Sequence, residues 1–310
     1  MSESMHPLRG VLEADADMGR YVSWRAGGRV ERLYTPTDLD DLCVFLRSLP
    51  ADEPILFIGL GSNLLVRDGG LQGTAIALHG ALKDIALQER RLAPRDGQPC
   101  FGVVHAEAGV ASPKVASFAA QNDLVGAEFL AGIPGCVGGA LAMNAGCHGH
   151  ETWEYVSQVQ TVDRHGRLHL RAPAHFRVAY RSVKPAQPRE EWFVAAWFLL
   201  PRGDGEHSRT LIKQLLAKRA ASQPLTQPNA GSVFRNPPGD FAARLIESCG
   251  FKGRSIGGAQ FSEKHANFIV NLGGATATDI ETLIETAQAG VEAKTGVRLE
   301  REVRIVGEKA

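Results

Sequence analysis

Cysteine is scarce in this chain of 310 residues, and no Cys-x-x-Cys pair occurs. The five thiols, Cys43, Cys100, Cys136, Cys147 and Cys249, are odd in number and far apart. That argues against a disulfide framework or a cysteine zinc site and for a reducing compartment. Long apolar runs are missing too: the longest, Trp192 to Leu200, has nine residues, short of the ~20 that a membrane-spanning helix needs. The opening MSESMHPLRG holds no apolar signal core, so a cytoplasmic protein without membrane insertion is expected. Charge of one sign is absent as well. Lys+Arg number 34 and Asp+Glu 34, for a formal charge of zero. A bulk attraction to nucleic acid or anionic lipid is therefore not expected, and no obligate protein partner is evident. The pair His148 and His150 has no third ligand nearby in sequence, so no metal is assigned to it.

Glycine, by contrast, is concentrated. Between Gly126 and Gly149, seven of 24 residues are glycine, where ordinary usage of about 7 % would supply roughly two. The core of this stretch, Phe129 to Gly146, reads FLAGIPGCVGGALAMNAG and is almost free of charge. Backbone lacking Cβ atoms can approach a ligand closely, so the run suggests main chain wrapped around something large and flat. A tight glycine-rich corner in an ordinary core is the alternative. A second glycine loop, Gly59-Leu60-Gly61-Ser62-Asn63, follows the apolar segment Ile55–Ile58. Bare N–H groups after a strand can cradle a phosphate. It is not a Rossmann fingerprint, because Leu64 stands where the third glycine belongs, and the Gly-Lys-Ser/Thr ending of a P-loop is absent. Taken alone, the loop is a cradle or a plain turn.

Along the chain, Thr37 with Asp40 opens a helix carrying Leu39, Leu42, Leu46 and Leu49. Strands are expected at Thr74–Leu78 and Val103–Val110, then a helix with Ser112 at the N-cap and Pro113 at the first position. Val156–Val162 and Leu168–Leu170 flank the turn Asp163-Arg164-His165-Gly166, and Glu191–Leu200 is a further strand. Ala179-Tyr180-Arg181-Ser182 precedes a proline-bearing loop. Gly, Asp and Pro cluster at Pro201–Glu206, where a domain boundary is placed. Beyond it come a helix ending near Lys218-Arg219, a short helix capped by Asp240, a strand at Phe268–Leu272, and a helix opened by Thr278 with Glu281. An alternating strand is expected at Val297–Val306. Helices and strands mix without a βαβ rhythm, so the fold class is α+β.

Isolated side chains carry little by themselves. Ser232 has no Gly-x-Ser-x-Gly elbow and by itself reads first as a loop or cap hydroxyl. Arg181 beside Tyr180 is a two-point anion clamp or a surface arginine. Glu302 falls on the polar side of the expected last strand, with Arg298, Glu300 and Arg304.

Seven segments in order do carry more: WRAGG, GLGSNLLVRDGG, EFLAGIPGCVGGALAMNAG, AYRS, QPLTQPNAGSVFRNPPGD, GGAQFSEKHANFIVN and LEREVRIVGE. Over about residues 20 to 308 the chain resembles the bacterial UDP-N-acetylenolpyruvoylglucosamine reductases, also called UDP-N-acetylmuramate dehydrogenases. The missing insertion between AYRS and Trp192 is similar to their shorter, second subtype. Two departures occur: Leu60 where the family often has glycine, and Arg301 where proline is common.

The resemblance implies a two-part FAD-binding unit of the vanillyl-alcohol-oxidase type at 20–202, with subdomains at about 20–79 and 80–202. A C-terminal α+β substrate domain would follow at 207–310. Gly59, Gly61, Ser62 and Asn63 would cradle the FAD diphosphate. Ile133, Gly135, Cys136, Gly138 and Gly139 would lie along the flavin and its linker. The implied activity is reduction of the enolpyruvyl ether of UDP-N-acetylglucosamine by NADPH, in peptidoglycan precursor synthesis and hence in cell-wall biogenesis, cell shape and division. Arg181 would pair with the substrate carboxylate, Glu302 would help stabilise the developing anion, and Ser232 would protonate it. Tyr180, Lys218, Asn236 and His265 would contact substrate. Another oxidase or dehydrogenase on the same scaffold, or a non-catalytic nucleotide-binding protein, are the rival readings.

Overall fold

The computed structural model describes residues 7–91 and 100–310; the first six residues of the opening segment considered above lie outside them. The chain forms two compact units, each assembled from separate stretches. The first takes residues up to Leu12, Tyr34–Gly59 and Ala75–Ala217, and the second takes Glu13–Leu33, Leu60–Thr74 and Lys218–Ala310. These cuts differ from the contiguous boundaries expected near residues 80 and 202–207. Gly and Pro clusters mark loops, whereas this division passes through strands Val11–Asp17, Arg29–Thr35 and Leu71–Ala77.

In the first unit a five-stranded antiparallel sheet has the order Leu168–Arg171, Val156–Asp163, Glu191–Pro201, Phe101–Glu107, Ile85–Arg91. Alternation gives the sheet two packed faces. Val104, Val159 and Ala196 join a core with residues of α2 (Ser112–Gln121) and α3 (Val137–Met143). Val162 and Val194 join another with α1 (Leu39–Ser48). Helix starts fall close to expectation but not on it. Asp38, not Thr37, caps α1, accepting from the Asp41 N–H at 2.9 Å. Ala111 takes the cap position of α2, and Ser112 is its first helical residue, buried. A longer helix, α4 (Gly205–Ser222), begins inside the expected boundary segment. Asp204 starts it, its Oδ1 accepting from the N–H groups of Glu206 and His207 at 2.9 and 3.0 Å.

The second unit is built on a four-stranded antiparallel sheet in the order Asn229–Ser232, Phe268–Asn271, Ala259–Phe261, Ser255–Ile256. Helices α5 (Ala242–Ser248) and α6 (Ala277–Thr295) complete its core with Trp24, Leu65, Phe234 and Phe261. Trp24 is fully buried; its indole N–H donates to the Ile269 carbonyl at 2.7 Å, and the Asn271 amide donates to the Trp24 carbonyl at 2.9 Å. The capping box of α6 is Thr276 with Asp279, not Thr278 with Glu281. The Thr278 hydroxyl donates instead to Asp68 at 2.6 Å, and Glu281 pairs with Arg67 at 2.8 Å. The short helix starts after Phe241 rather than at Asp240, with Asn236 Oδ1 accepting from its first N–H at 3.1 Å. The last strand is only Arg304–Val306, parallel to Leu64–Val66. Before it, Arg301 makes a single bridge to Phe234.

Candidate functional site

The glycine stretch is not one structural element. Glu128–Gly132 forms a 3-10 turn, Ile133–Cys136 is irregular with a tight turn in which the Gly135 N–H donates to the Ile133 carbonyl at 2.9 Å, and α3 follows. This segment and the start of α3 are held against residues 108–112: the Ser112 N–H donates to the Gly135 carbonyl at 2.8 Å, and the Val137 and Gly138 N–H groups donate to the Val110 and Ala108 carbonyls at 2.9 Å each. Ile133 and Cys136 are buried, and the Cys136 thiol lies 3.5 Å from His79 Nδ1. The Cβ of Cys136 would lie 3.3 Å from a Cβ at Gly59, which sets the distance of closest approach there.

The glycines separate by what their missing side chains would meet. At Gly132 a Cβ would be 2.7 Å from Cys147 Sγ, and at Gly138 it would be 3.0 Å from the Ala108 Cβ. Packing within the protein accounts for both. Gly61 has φ +62, and its Cβ would run into the Tyr21 carbonyl; the Ser23 N–H donates to the Gly61 carbonyl at 3.2 Å. Gly149 is open but has φ +90, which itself favours glycine; Gly139 is open with no such backbone reason. It sits in the first turn of α3, exposed, with nothing within 4 Å of its Cβ position. Glycine within a helix costs up to about 1 kcal/mol relative to alanine, and no protein atom near Gly139 explains it. An open, side-chain-free helix turn leaves room for a planar group such as a flavin to approach the backbone, so the residues present fit FAD.

Arg181 is set by a device that the sequence conceals. Phe176–Ala179 and Ser182–Pro185 are a β-hairpin, so Tyr180 and Arg181 form its two-residue turn rather than the approach to a loop. Arg181 has φ +52, a left-handed conformation usually left to Gly or Asn at this position. Such backbone costs on the order of 1–3 kcal/mol and persists where surroundings over-determine it. Here they do. The guanidinium donates to the Gly146 carbonyl at 2.9 Å and the Asn144 carbonyl at 3.4 Å, and packs 5.0 Å from the Tyr180 ring centre. Both carbonyls belong to the chain leaving α3.

Asn144, buried and left-handed at φ +42, ends that helix. Its amide N–H groups donate to Glu151 at 2.6 Å and to the Ala179 carbonyl at 3.3 Å, and its Oδ1 accepts from the Trp153 N–H at 3.2 Å. It thus ties the end of the glycine helix to the residue before the Tyr180-Arg181 turn. Sequence reading passed over Asn144; a lone polar residue closing a Gly/Ala helix ahead of Ala-Gly was the available signal, since Asn tolerates the left-handed C-cap.

The second unit brings Ser232 and Glu302 together. Ser232 ends the strand Asn229–Ser232 after Gly231, at φ +74. Val233 follows, and its carbonyl accepts from the Glu302 N–H at 2.8 Å. The adjoining Phe234 is clamped on both sides by buried Asn267, whose Oδ1 accepts from its N–H at 3.0 Å and whose amide donates to its carbonyl at 2.8 Å. Glu302 is half-buried in irregular chain ahead of the last strand, not on the solvated face of a long one. The alternation of residues 297–306 misled because that segment lacks a continuous ladder partner.

Asn63 and Ser62 make the turn before Leu64–Val66. The Asn63 amide donates to the Glu302 carbonyl at 3.1 Å, and its own carbonyl accepts from the Arg304 N–H at 3.1 Å. Among the expected substrate contacts, Tyr180 is 45 % exposed beside Arg181, and Lys218 is exposed on α4. Asn236 uses its Oδ1 to start α5. His265 is half-buried in the turn before Phe268, its Nδ1 accepting from the Asn267 N–H at 3.3 Å, and burial pushes its imidazole below the ordinary range. Gly59, Ile133, Gly135, Cys136, Gly138, Gly139, Tyr180 and Arg181 therefore belong to the first unit. Gly61, Ser62, Asn63, Lys218, Ser232, Asn236, His265 and Glu302 belong to the second.

Comparison with known proteins bears on these arrangements. The sequence pattern of an FAD binding domain matches residues 30–170, and that of the C-terminal domain of UDP-N-acetylenolpyruvoylglucosamine reductase matches residues 223–306. The UDP-N-acetylenolpyruvoylglucosamine reductase of Thiobacillus denitrificans is 60 % identical over 304 residues, covering 97 % of this chain and 94 % of that protein. Its counterpart from Nitrosomonas eutropha is 55 % identical over 308 residues, covering 98 % and 91 %. The crystal structure of the Thermus caldophilus UDP-N-acetylenolpyruvylglucosamine reductase is similar with a TM-score of 0.75 and 29 % identity, over 96 % of this chain and 98 % of that one.

Proposed function

The chain belongs to the UDP-N-acetylenolpyruvoylglucosamine reductase family, and from that premise we propose that Arg181, Ser232 and Glu302 perform its substrate chemistry. It is an FAD-containing oxidoreductase that uses NADPH to reduce UDP-N-acetylenolpyruvoylglucosamine to UDP-N-acetylmuramate in peptidoglycan precursor synthesis. FAD, when bound, would supply the hydride chemistry between NADPH and the enolpyruvyl group. Gly59, Gly61, Ser62 and Asn63 are read as the diphosphate loop, and Ile133, Gly135, Cys136, Gly138 and Gly139 as the flavin path.

In this reading Arg181 binds the substrate carboxylate. Its planar fork, already aligned by two backbone carbonyls, is organised before substrate arrives. Glu302 is assigned to stabilise the charge that develops on the substrate, for which it has to act through a proton or a hydrogen bond. Ser232 supplies the proton to the substrate carbon. A hydroxyl is a weak acid, so neighbours have to stabilise what it leaves behind. Tyr180, Lys218, Asn236 and His265 are read as substrate contacts. The cofactor module is assigned to residues 20–202 and the substrate module to 207–310, a division supported by the two matched ranges 30–170 and 223–306. No helix among the described residues is long and apolar enough to cross a membrane, and the reaction is assigned to the cytoplasm, where NADPH and nucleotide sugars are made.

The observation that carries the proposal is the Glu302 N–H bond to the carbonyl of Val233, the residue after Ser232, at 2.8 Å. Two groups 70 positions apart in sequence, each called on when the substrate carbanion is quenched, stand on touching backbone. Ser232→Ala tests it by rapid mixing. NADPH-dependent bleaching needs no proton donor at the substrate and should stay near wild type. Reoxidation by the enolpyruvyl substrate should fall by roughly 10²–10⁴-fold, the contribution of a positioned general acid, with partial recovery in Ser232→Cys. Equal slowing of both half-reactions would make Ser232 a structural or binding residue and overturn the assignment.

A further inference from the structure

We propose that Asn63 is a positioning residue for Glu302, so that the loop read as the FAD diphosphate cradle also sets the geometry of the glutamate. The inference rests on the role given to Glu302 above. Asn63 grips the chain on both sides of Val303. Its carbonyl accepts from the Arg304 N–H at 3.1 Å, as the parallel pairing of Leu64 with Arg304 requires. Its side-chain amide reaches one residue further back and donates to the Glu302 carbonyl at 3.1 Å. Glu302 lies ahead of the strand, where the ladder has not begun. The Asn63 side chain therefore extends the ladder by one rung. With the Glu302 N–H bonded to Val233 at 2.8 Å on the opposite side, both peptide groups of Glu302 are fixed. That fixes the direction of its Cα–Cβ bond.

A primary amide nitrogen carries two N–H donors. One goes to Glu302. The other is the donor that a diphosphate oxygen would take, and a bond to an ionised acceptor is shorter and stronger than a neutral one. An amide held by phosphate cannot rotate, so its other N–H stays on the Glu302 carbonyl. Cofactor occupancy and glutamate geometry would then share one side chain. Removing the amide leaves the strand pairing intact, because that pairing uses the Asn63 backbone.

Asn63→Ala and the isosteric Asn63→Asp, which has no N–H to donate, test the inference. Three measurements are made: FAD affinity by fluorescence, the two half-reactions by rapid mixing at saturating FAD, and amide hydrogen exchange across residues 299–306 with and without FAD. A misplacement of about 1 Å at a reacting group can cost roughly 10²-fold. With flavin saturated, reoxidation by the enolpyruvyl substrate should fall at least about tenfold, while reduction by NADPH should stay within about threefold of wild type. Residues 299–306 should exchange faster in both variants, and FAD should slow that exchange in wild type only. If reoxidation returns to wild type once FAD saturates, and exchange over 299–306 is unchanged, Asn63 is a diphosphate ligand alone and the inference falls. Glu302→Gln separates the two readings. Should it leave reoxidation untouched, the role of Glu302 is wrong, and hydrogen exchange still decides whether Asn63 orders the segment.

Discussion

Gly139 offers a test in which the fold and the cofactor should respond in opposite directions. A Cβ built there meets no protein atom within 4 Å, and the residue lies in the first turn of α3. Gly139→Ala removes the entropic cost of glycine without a clash, so the apoprotein should gain up to about 1 kcal/mol. Gly139→Val should gain somewhat less, because a β-branched residue has a lower helix propensity. If the open space is where the flavin lies, the added atoms overpack it. Inserting methyl groups into a packed contact costs about 1–3 kcal/mol, which at 1.4 kcal/mol per decade is a loss of roughly 5- to 150-fold in FAD affinity. The valine variant should fall at the upper end and purify with little yellow colour. Thermal unfolding of apoprotein and fluorescence titration with FAD measure the two effects separately. Gly138→Ala is the contrast: its Cβ would sit 3.0 Å from Ala108, so it should destabilise apoprotein as well. A Gly139→Val protein that keeps its flavin with an unchanged spectrum, or whose apoprotein is destabilised like Gly138→Ala, would refute the reasoning.

Arg181→Lys keeps the charge but cannot reach the Gly146 and Asn144 carbonyls with one planar fork. Losing one charged hydrogen bond is worth about 1.5–3 kcal/mol, so turnover should drop by about tenfold or more; wild-type turnover would reduce Arg181 to a surface residue. Acid should unfold the second unit through Asp68 and Glu281. Burial alone would raise Asp68, but hydrogen bonds from the Thr278 hydroxyl and the Thr278 and Ala277 N–H groups hold its carboxyl below the usual range; the Arg67 guanidinium does the same for Glu281. The folded state then binds fewer protons than the unfolded one. Its stability is fully present above the unfolded carboxylate range near pH 4 and is lost as pH falls through the lower folded values. Arg67→Ala, which leaves the buried Glu281 only its longer pairing with Arg301 at 3.9 Å, should cost no more than about 3 kcal/mol at pH 7, the lower end for a broken buried pair because Arg67 is partly exposed and Arg301 remains. That variant should also lose stability less steeply on acidification. A slope equal to wild type between pH 7 and 3 would show that the pair does not set acid sensitivity.

Local signals were legible where one residue type has one physical use. The hairpin around Asp163-Arg164-His165-Gly166 and the end of α6 at left-handed Gly296 could be read directly. Caps slipped by one or two positions where several hydroxyls and carboxylates compete. Thr276 and Thr278 are equally suitable in sequence, and Asp68, 210 positions away, takes the second. The Val297–Val306 alternation was a true pattern without a partner strand. Arg181 was visible as a candidate anion clamp, but its left-handed turn was not, because arginine carries no conformational signature for it.

Composition and order of motifs by themselves determined a great deal. They marked a chain with no membrane-spanning helix, an α+β fold, two glycine loops, and a family whose named relatives match over nearly its whole length. These are properties of residue identity and local spacing. Only the tertiary structure decided which glycines are open and which are filled, because that depends on atoms from distant segments. It alone put Glu302 on the carbonyl of Val233 beside Ser232, gave Asn63 its second partner, and held Arg181 against the chain leaving α3. Each of these is a hydrogen bond to a backbone carbonyl far away in sequence. Such bonds depend on where the chain goes, and every residue carries the same peptide group.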